Sequence, residues 1–149
     1  MNAQNYYQDS IPLPENLPIM KQFLWGEKGM MRILELAPNS RINEFKLRRK
    51  MLQLHQKLGL FTTSLLWSQS YIGYMIKDNP QYYGKGQIND LTSYHRFLGY
   101  SGFSIYMTTA SLSLLAPPAY KYSNQMSSMK IHKYLAWCHF TGMMLTPFL

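Results

Sequence analysis

The four histidines of this chain are its main candidates for chemistry, because three of them occur in the same local phrase. Each copy reads apolar residue, His, polar residue, any residue, Leu, small residue, apolar residue, and the copies are Leu54–Leu60, Tyr94–Tyr100 and Ile131–Trp137. A basic residue follows each of these histidines by one or two positions. The fourth histidine, His139, lies seven residues after His132, which is almost two helical turns, so both lie on one helix face.

This repeated phrase favours haem chemistry. A b-type haem is held by two imidazoles from neighbouring helices in many membrane cytochromes. The small residue of the phrase would let the flat macrocycle or another helix approach the backbone, and the basic residue would pair with the haem propionates. We therefore interpret the repeat as a haem b site. Three alternatives stay open: the histidines only anchor helix ends, they hold a metal ion without haem, or the 11 methionines indicate copper.

The alternation of helix directions decides which histidines can pair. We expect His55 and His132 on one side of the bundle at matching depths, which makes them the best-matched pair of ligands for the haem iron. His139 is expected about 10 Å deeper, and its pairing with His55 stays open if the first helix is tilted. His95 is expected on the opposite side, where it either needs another helix or subunit as its partner or is not a ligand.

Charge is distributed unevenly along the 149 residues, whose formal net charge is +8. All seven acidic residues lie at or before Asp90, and long uncharged runs cover 58–76, 97–120 and 134–149. A helix that crosses the hydrocarbon core of a bilayer needs roughly 20 such residues. The pattern predicts an all-α fold, an integral membrane helical bundle with three transmembrane helices. A soluble bundle with unusually apolar helices stays the alternative, since the first run contains several Ser, Thr and Gln residues.

Turn and cap residues divide the chain into seven segments. The expected caps are Ser40 for the first long helix, Asp90 for the second, and Ser127 or Ser128 for the third. The segment 20–39 mixes apolar and charged residues and predicts an amphipathic helix, which would lie on the membrane surface, on a partner or on the protein's own loops. The predicted segments are an extended tail (1–19), the amphipathic interfacial helix (20–39), a basic lead-in with transmembrane helix 1 (40–77), a connector (78–89), transmembrane helix 2 (90–118), a loop (119–127) and transmembrane helix 3 (128–149).

Basic residues set the expected orientation. The chain through Lys57 contains nine Lys and Arg residues and the segment 121–133 contains three, against three between the first two long helices. Because basic residues concentrate on the cytoplasmic side, we expect the N-terminus there, in a bacterial inner membrane or its organellar equivalent. The basic cluster at 46–50 would meet anionic headgroups. Nucleic acid is not an expected partner, since nothing else in the chain is typical of a nucleic-acid-binding fold.

Composition and motifs exclude several classes of protein. The single cysteine, Cys138, excludes a disulfide scaffold, a thiolate zinc site and a cysteine-ligated iron–sulfur cluster. The chain contains no Gly-rich phosphate loop, HExxH motif or GxSxG motif, so hydrolytic activity is not expected. The sequence leaves open whether the chain is a simple electron carrier or part of an oxidoreductase complex.

The three phrases also resemble known proteins. Their extended forms, MLQLHQKLGLFTTSLLW, YHRFLGYSGFSIYMTTASLSLLAPP and IHKYLAWCHFTGMMLTPFL, resemble a group of uncharacterised bacterial multi-helix membrane proteins. The motifs of that group are LHxxLG, HxxLGY followed by TTASLSLLAPP, and HKxLAWxH, and the resemblance covers residues from about 25 to 149. More distantly, the helix starts resemble those of the b-561-type cytochromes, which hold haem b between histidines and pass electrons across a bilayer. By position, this resemblance implies His55, His95, His132 and His139 as candidate ligands. It departs from those cytochromes in helix number, since they have at least four core helices.

Two functional hypotheses follow. The first is a small membrane-embedded, b-type cytochrome-like electron-transfer protein with bis-His haem ligation, which exchanges single electrons with a quinone or another membrane subunit. The second is a non-catalytic accessory or structural subunit of a larger membrane complex. The short third run, the amphipathic segment and the Pro-containing tail would all suit packing on such partners.

Overall fold

The computed structural model describes residues 11–78, 83–122 and 125–146, and regular structure in these ranges is entirely helical. This confirms the all-α class. The described helices are α1 (Ile19–Trp25), α2 (Met30–Ile33), α3 (Arg41–Asp78), α4 (Lys85–Leu115) and α5 (Ser128–Leu145). Among them, none combines the length and the average hydropathy that a membrane crossing requires. Membrane insertion therefore stays a prediction.

Helix α3 joins the basic lead-in and the first uncharged run into one continuous helix. Ser40 is its N-cap, as predicted: its Oγ accepts a hydrogen bond from the Asn43 N–H at 3.3 Å, and its carbonyl accepts one from Glu44 N–H at 3.0 Å. The helix ends at Asp78, close to the predicted end of the segment 40–77.

Helix α4 begins earlier than the cap residues predict. Its N-cap is Gly84, whose N–H donates to the Gln87 side chain at 3.3 Å, so Asp90 lies inside the helix and the prediction that Asp90 caps it is wrong. Its last residue is Leu115, because the prolines that follow it closely cannot continue a helix. In α5, Ser127 occupies the N-cap position without a side-chain capping bond.

The N-terminal segment differs from the single amphipathic helix predicted for 20–39. It forms the short helices α1 and α2 with a tight turn between them. A Cβ on Gly29 would lie 2.7 Å from the backbone oxygen of Leu24, so only glycine fits this turn. Leu24 and Trp25 are buried, and the Trp25 Nε1–H donates to the Leu115 carbonyl at 3.0 Å. The segment thus packs on the end of α4.

Helices α3 and α4 form the central antiparallel pair. Small residues lie in their interface: Gly102 and Thr62 are buried, and a Cβ on Gly102 would be 3.7 Å from Leu66 Cδ2. The Thr62 hydroxyl donates to the Leu58 carbonyl at 2.8 Å, so this buried polar group is satisfied inside its own helix. By contrast, none of the described residues of α5 is buried.

Candidate histidine site

The structure brings His55 and His132 together. Their ring centroids are 6.3 Å apart and their planes are at 83°. His55 lies in the first half of α3 and His132 in the first turns of α5, so the contact joins the central pair to the third long helix. The sequence predicted that these two residues lie at the same depth in the bundle.

A hydrogen bond fixes the orientation of His55. Its Nδ1 is 2.8 Å from the backbone carbonyl of Thr109 on α4. A carbonyl oxygen can only accept, so we assign the proton to Nδ1, which leaves the Nε2 lone pair for a metal ion. Metal-ligating histidines typically make this second bond to a carbonyl, which fixes the tautomer and raises the basicity of the ligating nitrogen.

His95, on α4, makes the same kind of bond to α3 at a point about 20 Å from His55. Its Nδ1 is 3.1 Å from the carbonyl of Gln69, and its ring lies over Gly73, where a Cβ would be 3.0 Å from His95 Cε1. The structure therefore separates His95 from the His55–His132 pair, as predicted from the alternating helices. The Nε2 of His95 carries the same lone pair as that of His55.

The small residue four positions after each histidine serves the same contact. A Cβ on Gly59 would be 3.9 Å from Thr109 Cγ2, and one on Gly99 would be 2.7 Å from Gln69 Nε2. Each His-x₃-Gly unit thus holds one residue of the opposite helix, by its carbonyl and along its side chain. We call the two units, His55–Gly59 on Thr109 and His95–Gly99 on Gln69, the histidine clasps.

The two clasps are related by an approximate two-fold axis between α3 and α4. In each helix, the residue that is held lies 14 positions after the helix's own histidine: Gln69 follows His55 in this way, and Thr109 follows His95. The third copy of the phrase has Ala136 at the small position, and Ala136 is exposed. The phrase of α5 therefore contacts the pair through a histidine ring rather than through a clasp.

His139 lies against α4 rather than against another described histidine. Its ring centroid is 5.0 Å from that of Tyr106, with the planes at 74°. Tyr106 also stacks on Phe140 at 6.5 Å, and it precedes Thr109 by one turn. The rings of His55, His132, Tyr106 and His139 therefore occupy the same end of the bundle.

The separation of the His55 and His132 rings is compatible with two imidazole ligands of one metal ion. Imidazole nitrogens lie about 2 Å from a bound metal, and adding about 1 Å from each nitrogen to its ring centre gives a centroid separation of about 6 Å. The observed separation of 6.3 Å agrees with this, and the Nδ1 bond of His55 leaves the right nitrogen for ligation. No group of three or more His, Cys, Asp or Glu side chains within 11–78, 83–122 and 125–146 is placed to hold a metal ion. A bis-imidazole site requires only two ligands.

Basic residues surround this end of the bundle. The Lys21 ammonium donates to the carbonyls of Ser113 and Leu114 at 3.2 and 2.9 Å, and Arg48 donates to the carbonyl of Pro117. Burial, together with the positive charges of Arg48 and Lys133, lowers the pKa of Lys21 from 10.5 to about 8. The local field is therefore positive, which favours anionic groups such as propionates or phosphates.

Sequence reasoning missed several of these positions. Thr109 and Gln69 act through backbone carbonyls, which leave no signature in residue type. Their spacing of 14 residues after a histidine was visible only once the antiparallel pairing was known. Lys21 donates hydrogen bonds to carbonyls in the last turn of α4, and its position in an amphipathic segment did not predict that role. Tyr106 had no signal of its own.

Comparison with known proteins yields no relative: no family model, no curated protein and no solved structure matches this chain.

Proposed function

We propose that the protein is a small membrane-embedded, b-type cytochrome-like electron-transfer protein in which the imidazoles of His55 and His132 would hold haem b. The observation that carries the proposal is the 6.3 Å separation of these two rings.

The residues of the chain have distinct roles in this proposal. His55 binds through Nε2, while its Nδ1–H bond to the Thr109 carbonyl holds the ring in one orientation. His132 supplies the second nitrogen from α5. When bound, haem would supply one-electron redox chemistry between ferrous and ferric iron, and the two imidazoles would be the residues that hold it. The site would therefore exchange electrons with partners such as a quinone rather than transform a substrate.

Exposed aromatic and aliphatic side chains support the membrane part of the proposal. Trp67 and Tyr100 are 75% and 77% exposed, and Leu60 and Phe97 are also largely exposed. A monomeric soluble protein rarely leaves such large apolar surfaces without a partner. Lipid chains or the helices of another membrane subunit would cover them.

An absorption spectrum of the full chain tests the haem assignment. The protein, purified in detergent after expression with ample haem, should show a sharp reduced b-type band, and a pyridine haemochrome assay should give one haem per chain. His55→Ala and His132→Ala should each lose the band while keeping their helical circular dichroism. His95→Ala is the matched control, since His95 has the same phrase and the same Nδ1 bond without a histidine partner, and it should keep the haem.

Two outcomes would overturn the assignment. A colourless wild-type protein would reject haem binding. Loss of the band in His139→Ala but not in His132→Ala would move the second ligand to His139.

The accessory-subunit hypothesis is the second candidate, and the exposure of α5 favours it. Every described residue of this helix is at least partly exposed, including Trp137 at 54% and Leu135 at 64%. A helix with this surface is suited to packing on another subunit. Under this hypothesis a colourless protein would still assemble with its partners, and His55→Ala would weaken the assembly.

A further inference from the structure

We propose that the groove between the basic half of α3 and Tyr120 binds one anionic phospholipid, with its phosphate on Arg49 and its acyl chain along Phe45, Leu52 and Tyr120. The inference rests on the membrane location proposed above and is independent of haem. It assigns a defined lipid site beyond the general attraction of basic residues for a charged surface.

The groove has the size and walls that such a ligand needs. It is an open surface groove of about 440 Å³, a volume within the range of small-molecule sites, and its lining combines aromatic, aliphatic and amide side chains. Phe45 and Tyr120 form its aromatic corner, with ring centroids 6.4 Å apart at 63°. The Arg41 guanidinium lies 4.7 Å from the centre of the Phe45 ring, on which it packs. An acyl chain can therefore lie against a fixed aromatic wall.

Charge selects the headgroup. Arg48 and Arg49 line the groove, and Arg48 already donates to the Pro117 carbonyl. The acidic residue closest in sequence, Glu44, is buried and paired with both Arg32 and Arg41, so it does not neutralise the groove. Arg49 is exposed and can present its planar fork of N–H donors to a phosphate. An anionic head next to an apolar wall matches a phospholipid better than a free anion.

Lipid titration by native mass spectrometry tests this site. The full-length protein in detergent would be titrated with phosphatidylglycerol and with phosphatidylcholine of the same acyl chains, and inorganic phosphate would be the competitor. We expect one phosphatidylglycerol to bind at least about fivefold more tightly than phosphatidylcholine, the effect of roughly one basic residue at an anionic surface. Inorganic phosphate should not displace it.

Variants separate a defined site from diffuse attraction. Arg49→Lys keeps the charge but loses the bidentate fork, and Tyr120→Ala removes part of the wall, so both should weaken phosphatidylglycerol binding by about fivefold or more. Lys46→Gln is the matched control, since it removes one charge from an exposed position of α3 outside the groove lining. It should change the affinity by less than about twofold.

Two results would overturn the proposal. Equal losses in Arg49→Gln and Lys46→Gln, with wild-type affinity in Arg49→Lys, would show unspecific charge attraction. Displacement by inorganic phosphate together with unchanged binding in Tyr120→Ala would show a site for a free anion. The haem spectrum of the same variants distinguishes this inference from the proposed function, because loss of lipid selectivity with retained haem affects the lipid site alone.

Discussion

The α3–α4 pair and α5 carry the same phrase but are held in the fold in different ways. In the pair, His55 and His95 each donate to a backbone carbonyl of the other helix, and a glycine four residues later lets that helix approach. In α5, the ring of His132 contacts His55, and Ala136 stays exposed. The difference shows that the phrase makes two kinds of contact: in the pair, Nδ1 joins two helices, and in α5, the ring contacts another histidine. His55 makes both contacts, through its Nδ1 to the Thr109 carbonyl and through its ring to His132.

Removal of Glu44 should have the largest effect on the anchored part of the molecule. This carboxylate is 1% exposed and pairs with Arg32 at 2.7 Å and with Arg41. Glu44→Ala leaves these cations uncompensated at a buried site, and we expect a loss of about 3–5 kcal/mol in the free energy of unfolding. Chemical denaturation in detergent, followed by circular dichroism, measures it. Exposed Glu27→Ala is the control and should stay within about 0.5 kcal/mol of wild type, and equal stabilities of the two variants would contradict the prediction.

A bulky residue at Gly73 should separate the central pair at one clasp. A Cβ there lies 3.0 Å from His95 Cε1, so Gly73→Val forces the imidazole away from the Gln69 carbonyl. We expect a loss of about 1–3 kcal/mol in the free energy of unfolding, as for other overpacked interfaces. The matched control is Gly142→Val on α5, where, among the described residues, no atom outside the surrounding helix backbone lies within 4 Å of the added Cβ. If both variants unfold alike, the contrast between the pair and α5 is wrong.

The open surface of α5 predicts a change of opposite sign. Because no described atom outside the surrounding helix backbone lies within 4 Å of a Cβ added at Gly142, Gly142→Ala should gain helix propensity without a clash. We expect an increase of up to about 1 kcal/mol in the free energy of unfolding. Thermal melting of the purified protein checks this, and a decrease would mean that another surface packs closely on this face of α5.

The α1 contact should make the stability of the protein depend on pH. The pKa of Lys21 is about 8 in the folded protein, against 10.5 for an ordinary lysine. Between these two values the unfolded chain binds more protons, so this group makes the fold more stable as the pH rises from about 8 to 10.5. Below pH 8 its contribution is constant. The melting temperature of wild type minus that of Lys21→Met should therefore be higher at pH 9.5 than at pH 7. An equal difference at the two pH values would contradict the assigned pKa.

The sequence predicted much of the helix arrangement because it depends on residue types with strong local preferences. Ser40 caps α3 through a side-chain bond that only a few residue types can make. The depth of each histidine relative to its uncharged run selected His55 and His132, which the structure places side by side. Asp90 misled because a favourable capping residue is equally compatible with the first turns of a helix that starts earlier.

Other features depend on information that residue types do not contain. The clasps use backbone acceptors, and the turn between α1 and α2 depends on how closely Gly29 must approach the backbone oxygen of Leu24. The uncharged runs predicted helices with a higher average hydropathy than the described helices have. Absence of charge and high hydropathy are different properties. Hydroxyl side chains in α3 and α4 bind carbonyls one turn earlier, as Thr63 and Ser104 do, and lower the average hydropathy while leaving no charge.

The two histidine clasps have a mechanical consequence. They lie about 20 Å apart along α3 and α4, so a slide of one helix past the other by one turn would break both of their hydrogen bonds. Displacement of one helix relative to the others would then be concentrated in α5, which is held to the central pair by ring contacts. A swing of α5 would change the distance between His55 and His132 while the register of the central pair stays constant, so motion of a single helix would set the separation of those two rings.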